Sequence, residues 1–114
     1  MNINVVTLMD RKIYYDTGKE FIKSFIINWP VNAYLNIYLV NMPKPPIWNK
    51  RVNFIDVSSL KIIEQFKIQH QIYLKRSFNF NPKFDLIASA YKALIIYEIL
   101  KKKEADYLIW IDPK

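Results

Sequence analysis

The sequence predicts an α/β fold: a Rossmann-like, three-layer domain in which a mainly parallel sheet of about four strands is flanked by helices. Three observations predict it. Short β-branched apolar runs alternate with longer segments at helical spacing, in the order strand, helix, strand, strand, helix, helix, strand. The first run is apolar through most of its length, as a parallel strand buried on both faces is. The chain has 114 residues, 52% of them hydrophobic, enough to bury one core, and no internal repeat or low-complexity segment interrupts it. We therefore expect one compact domain over residues 1–114.

The elements follow in order. Ile3-Asn4-Val5-Val6-Thr7-Leu8 reads as a buried strand opening into a polar loop, Asp10-Arg11-Lys12. Thr17 with Glu20 three residues later forms a capping box, so a helix is expected there, with Phe21, Ile22, Phe25, Ile26 and Trp29 on one face and Pro30 ending it. Leu35–Val40 is a second strand. Met42-Pro43-Lys44-Pro45-Pro46 follows as a proline-stiffened loop that cannot join a ladder. Val52–Val57 is a third strand, and Ser58 and Ser59 can cap a helix carrying Leu60, Ile63 and Phe66. Residues 70–83 lose periodicity and read as a loop. From Phe84 to Lys103 the spacing predicts the longest helix, with Leu86, Ile87, Ala90, Leu94, Tyr97 and Leu100 on one face, and three terminal lysines suit the helix dipole. Asp106–Asp112 is the last strand.

Composition removes several function classes. Cysteine is absent and His70 is the only histidine, so disulfides, zinc clusters and Cys-His or Ser-His catalytic arrangements are all excluded or nearly so. Gly18 is the only glycine, which excludes a phosphate-binding P-loop and the dinucleotide fingerprint. No apolar run approaches the roughly 20 residues that span a bilayer and no export signal precedes the first strand, so a cytoplasmic protein is expected. The net charge is +7, but the lysines are dispersed and Ile, Lys, Asn, Tyr and Phe dominate the composition, as A/T-rich codons would make them. Dispersed charge argues against a nucleic-acid partner.

In a parallel sheet, ligands bind beyond the carboxyl ends of the strands. Three groups fall there: Thr7 with Asp10, Arg11 and Lys12; Asp56; and Asp112. Asp112 follows the apolar strand Tyr107–Ile111 and is either an oxygen ligand for a divalent cation or a solvated acid. Asp56 can accept from a ribose hydroxyl or a base imide, or it can cap the next helix in competition with Ser58 and Ser59. Lys92 lies on the helical wheel beside Ala88, Ser89, Ile96 and Ile99, so its ammonium either reaches an anion or extends past apolar surface to water. His70 has no acid-base partner evident in sequence. Tyr73, Phe78, Phe80 and Phe84 interleave with Lys75, Arg76 and Lys83 like a base-stacking surface, although packing explains them more cheaply.

The segment Phe84–Lys92, with Ala93–Leu100 and then Ala105–Asp112, resembles the helix and strand that lead into the DxD motif of GT-A-type glycosyltransferases; the likeness extends to the first strand, its loop and the following helix. The resemblance implies a nucleotide-sugar-binding domain, a partial GT-A fold, with Thr7, Asp10, Arg11 and Asp56 around the nucleotide and Lys92 as the lysine often found on the helix before the motif. It further implies a divalent cation, manganese or magnesium, held at Asp112 and bridging the donor's diphosphate. Lys114 stands where the second aspartate of the motif would be, and the acceptor-binding half of such an enzyme lies outside these residues. The expected function is binding of a nucleotide-sugar donor for glycosyl transfer, without completing transfer alone. The alternative is an interaction module of the same fold, self-associating or completing its sheet with a partner chain.

Overall fold

The computed structural model of the chain describes residues 2–69, 86–102 and 106–113. The loop expected over 70–83, with His70 and its interleaved aromatics and cations, lies outside the described residues, as do Phe84, Lys103 and Lys114. The chain divides into two compact units, Met1–Asp56 with Ala105–Lys114, and Val57–Glu104.

The first unit holds the sheet. Strands β1 (Ile3–Met9), β2 (Ala33–Leu39), β3 (Val52–Asp56) and β4 (Tyr107–Trp110) lie in the order β3-β2-β1-β4, and every pairing is parallel. This is an α/β fold with an all-parallel sheet flanked by helices, compatible with a Rossmann-like architecture. In the register, Val5 pairs with Leu35 and Ile109, and Leu35 with Val52, so these four side chains share one face. Ile22 and Phe25 of helix α2 (Lys19–Asn28) join Val5, Met9, Leu35, Ile37 and Leu39 in the core of that face. The side chains of Phe21, Ile26 and Trp29 pack against it, so the helical face expected from spacing is the one used.

The entry to that helix differs from the expectation. The helical run starts at once after β1, as α1 (Arg11–Ile13), and passes through a π-turn (Tyr14–Gly18) into α2. Asp10 is the N-cap, its Oδ1 accepting from Ile13 N at 2.8 Å. Thr17 is therefore inside the helix, its hydroxyl donating back to Ile13 O at 3.5 Å. A carboxylate that satisfies an orphan amide directly after the strand starts the helix before the capping box can.

The β2–β3 crossover contains no helix. Asn41, at φ 51°, turns the chain out of β2, a conformation Asn tolerates better than most residues. The prolines then keep the loop off the ladder, while Met42 and Ile47 pack on the core. On the opposite face of the sheet, a chain of amides crosses three strands: Asn53 Nδ2 donates to Asn36 Oδ1 at 3.2 Å, and Asn36 Nδ2 donates to Asn4 Oδ1.

The second unit comprises a 3-10 turn (Val57–Ser59), α3 (Lys61–Gln69) and α4 (Leu86–Lys102). Ile63, Tyr91 and Ile95 are buried, and Phe66 meets Tyr91 edge-on at 5.9 Å. The face of α4 expected to be apolar is thus corrected: Tyr97 and Leu100 are more than half exposed, and Tyr91 and Ile95 are the buried pair. The segment is apolar almost all round, so its period does not select a face, and the ring contact with α3 does. Among the described residues no helix is long and apolar enough to cross a membrane.

Candidate functional site

The strand order creates a switch point. From β1 the chain steps outward through β2 to β3, and β4 then returns to the other side of β1, so connections leave these two neighbours in opposite directions. In open parallel sheets the crevice at the carboxyl ends of such strands is where ligands bind.

The two strands end at different heights. The last paired row is Val6 with Trp110, and Ile111 N donates to Val6 O at 3.0 Å just beyond it. β1 continues to Met9, still paired with β2, and Val40 N donates to Met9 O at 2.9 Å. By strand geometry Asp112 is about level with Leu8, one strand spacing of roughly 4.8 Å away, and Asp10 stands about two residues higher. Asp10, Arg11 and Asp112 therefore gather at the β1–β4 junction, with Arg11 and Asp112 exposed.

Each group carries a constraint. Asp10 Oδ1 is engaged by Ile13 N, so one of the first amides of the helical run is already met by the chain's own carboxylate. Asp112 Oδ1 accepts from Trp110 Nε1 at 2.9 Å, a contact between residues two apart on the same face that orients the carboxylate. Among the described residues no cluster of three or more His, Cys, Asp or Glu side chains could hold a metal. The carboxylate of Asp112 nevertheless fits a magnesium-type role, because that ion is held through one or two carboxylates and completes its shell with phosphate oxygens and water.

Of the remaining expected residues, Thr7 and Asp56 stand apart from these three. Thr7 shares the helix-covered face with Val5 and Met9, is fully buried, and its Oγ1 has no hydrogen-bond partner among the described residues. Asp56 is exposed on the same carboxyl edge but in the row Met9-Leu39-Asp56, about two strand spacings from β1. Lys92 is half-buried on α4 of the second unit and is not without a partner.

Sequence reasoning did not reveal the π-turn. Such turns recur at functional positions because the extra residue re-aims side chains, and this one is separated from β1 only by Asp10 and α1. It buries Tyr14 and Gly18 and exposes Tyr15 and Asp16. Burial, and then the neighbouring Tyr15, push the Tyr14 phenol above its ordinary pKa. The presence of the chain's sole glycine has a direct cause here: a Cβ at Gly18 would lie 2.7 Å from Met9 Sδ, so its absence lets the turn close on the end of β1. Comparison of the chain with protein-family models, with curated proteins and with solved structures finds no match to any of them.

Proposed function

We propose that the carboxyl edge of the sheet, at the β1–β4 junction, binds a nucleotide-sugar donor in the manner of a GT-A-type glycosyltransferase. The observation that carries this reading is the all-parallel β3-β2-β1-β4 order, which brings Asp10 and Arg11 onto one side of a switch-point crevice and Asp112 onto the other. Because Asp10 already caps the helix, a diphosphate here requires added positive charge. Arg11 supplies one cation and a divalent ion on Asp112 supplies the other, neutralising the leaving diphosphate. Asp56, farther along the same edge, serves the nucleoside end. Thr7 and Lys92 enter the proposal only through the resemblance to the family.

Titration calorimetry with UDP- and GDP-sugars, with and without manganese, tests it. Binding that requires manganese and is lost in Asp112→Asn supports the reading, and no heat under either condition sinks it.

A second reading rests on a separate observation. Among the described residues β4 pairs on one side only, and Tyr107 and Ile109 on one of its faces are 55% and 37% exposed. An apolar edge strand of this kind can complete its sheet with a second chain. Multi-angle light scattering decides it: a strict monomer at high concentration counts against self-association.

A further inference from the structure

The three most exposed large hydrophobic side chains among the described residues are Trp48 at 93%, Val31 at 84% and Ile27 at 79%. All three lie in the first unit, at the amino edge of the sheet. Ile27 is in the last turn of α2, Val31 is in the turn that opens β2, and Trp48 is in the loop just before β3. They ride on segments fastened to one another by one side chain. Arg51 Nη2 donates to Ile26 O at 2.9 Å, and Nη1 donates to Pro30 O at 2.8 Å, to Ala33 O at 3.3 Å and to Trp29 O at 3.4 Å. The three apolar tips are therefore held together as one edge.

Within the stretch that carries them the charge has a single sign, although Lys23 pairs with Glu20 just before it at 3.6 Å and Asp106 is exposed at the amino end of β4. From Phe21 to Ile55 the sequence contains no aspartate or glutamate, while Lys23, Lys44, Lys50 and Arg51 all fall inside that stretch. Lys44 Nζ sits 5.6 Å from the Trp48 ring centroid, and Lys44 and Lys50, before and after Trp48 in the chain, are both exposed. An indole flanked by ammonium groups suits the headgroup layer of a bilayer, where the ring takes the boundary and the cations meet phosphates. Nucleic acid fits less well, because Val31 and Ile27 have no stacking surface and no use beside a phosphate backbone.

We propose that the amino edge of the sheet is a peripheral binding surface for an anionic lipid bilayer, with Trp48, Val31 and Ile27 entering the headgroup region and Lys44 and Lys50 meeting lipid phosphates. This surface lies at the opposite end of the strands from the candidate donor site. A protein bound through it keeps that site turned toward the aqueous phase, and the proposal does not depend on donor binding.

Co-sedimentation of the full chain with vesicles tests it, comparing pure phosphatidylcholine with a mixture containing about a third phosphatidylserine. We expect binding to the anionic vesicles that weakens with salt, and quenching of Trp48 by lipids brominated along the acyl chain, read as the signal lost in Trp48→Phe. Trp48→Ala, or Lys44→Glu with Lys50→Glu, should lower the partition coefficient roughly tenfold. Tyr15→Ser, which alters an exposed aromatic near the carboxyl edge, should leave it unchanged. All of these positions are exposed, so circular dichroism should be identical across the set. The proposal is overturned by no binding to anionic vesicles, by binding that Trp48→Ala leaves intact, or by single-stranded RNA binding through Trp48 in place of vesicles.

Discussion

The two ends of the sheet in the first unit treat polar and apolar groups in opposite ways. At the amino edge the backbone carbonyls are satisfied internally: the Arg51 guanidinium bonds four of them and lies 5.1 Å from the Phe25 ring, while Trp48, Val31 and Ile27 face water. At the carboxyl edge Met9, Tyr14, Leu39 and Val40 are buried, while Arg11, Lys12, Asp56 and Asp112 are exposed and the Thr7 hydroxyl has no partner among the described residues. One end closes its backbone carbonyls and leaves apolar side chains open beside Lys44 and Lys50, and the other buries apolar side chains and leaves charged ones open. Open polar groups suit recognition of a charged small ligand, and open apolar groups suit a surface, because each exposes what its partner must desolvate.

The largest expected effect is at the closed amino edge. Arg51→Ala removes the side-chain donor shared by four carbonyls, of which that of Pro30 keeps its bond from Ala33 N, and removes the contact with Phe25, and should destabilise the protein by about 3 kcal/mol in urea unfolding. Arg51→Lys should recover only part of this, since an ammonium cannot span the same carbonyls. If Arg51→Ala changes little, the amino edge is not held by this clamp and the contrast between the ends fails.

Thr7→Val tests the other end. The substitution is nearly isosteric and removes a buried hydroxyl that lacks a partner among the described residues, so stability should rise by about 1 kcal/mol. If donor affinity falls as stability rises, the hydroxyl serves the ligand; if affinity is unchanged, Thr7 belongs to the core alone. Asp10→Ala should cost about 1 kcal/mol through loss of the N-cap, and Asp10→Ser should retain most of it. Equal losses in both variants would mean that the carboxylate does more than cap.

The smallest effect concerns Tyr14. Its phenol is raised above the ordinary value by burial, so the folded state holds the proton more tightly than the unfolded chain does. Its contribution is complete below the unfolded value near 10 and is lost as pH rises from there through the folded value. Stability should decline in that alkaline window, and Tyr14→Phe should lose this part of the decline.

Much of the fold is legible along the chain. The continuous apolar run at β1, the spacing of Ile22 and Phe25, and the prolines between β2 and β3 each carry a local physical requirement, and all are met where spacing places them. The start of the first helix was less legible, because Asp10 and Thr17 are both competent caps and only the strand's end decides which acts. The face of α4 was not legible at all, since its residues are apolar on nearly every side and the ring of Phe66 chooses Tyr91.

The candidate site divides in the same way. Sequence places Asp10, Arg11, Asp56 and Asp112 after strands, because chain position alone fixes that. It cannot say which strands are neighbours. The sheet order joins the ends of β1 and β4 and sets Asp56 two strands away, while the side-chain alternation turns Thr7 inward beneath the helix. The four cations and missing acids between Phe21 and Ile55 were likewise present in the sequence. The sequence by itself determined the α/β class, the strand and helix cores and the excluded chemistries, because these follow from local period and residue type. Tertiary structure alone decided which charges meet and which apolar tips share an edge, because pairing between distant strands and a clamp such as Arg51 depend on contacts that chain order does not encode.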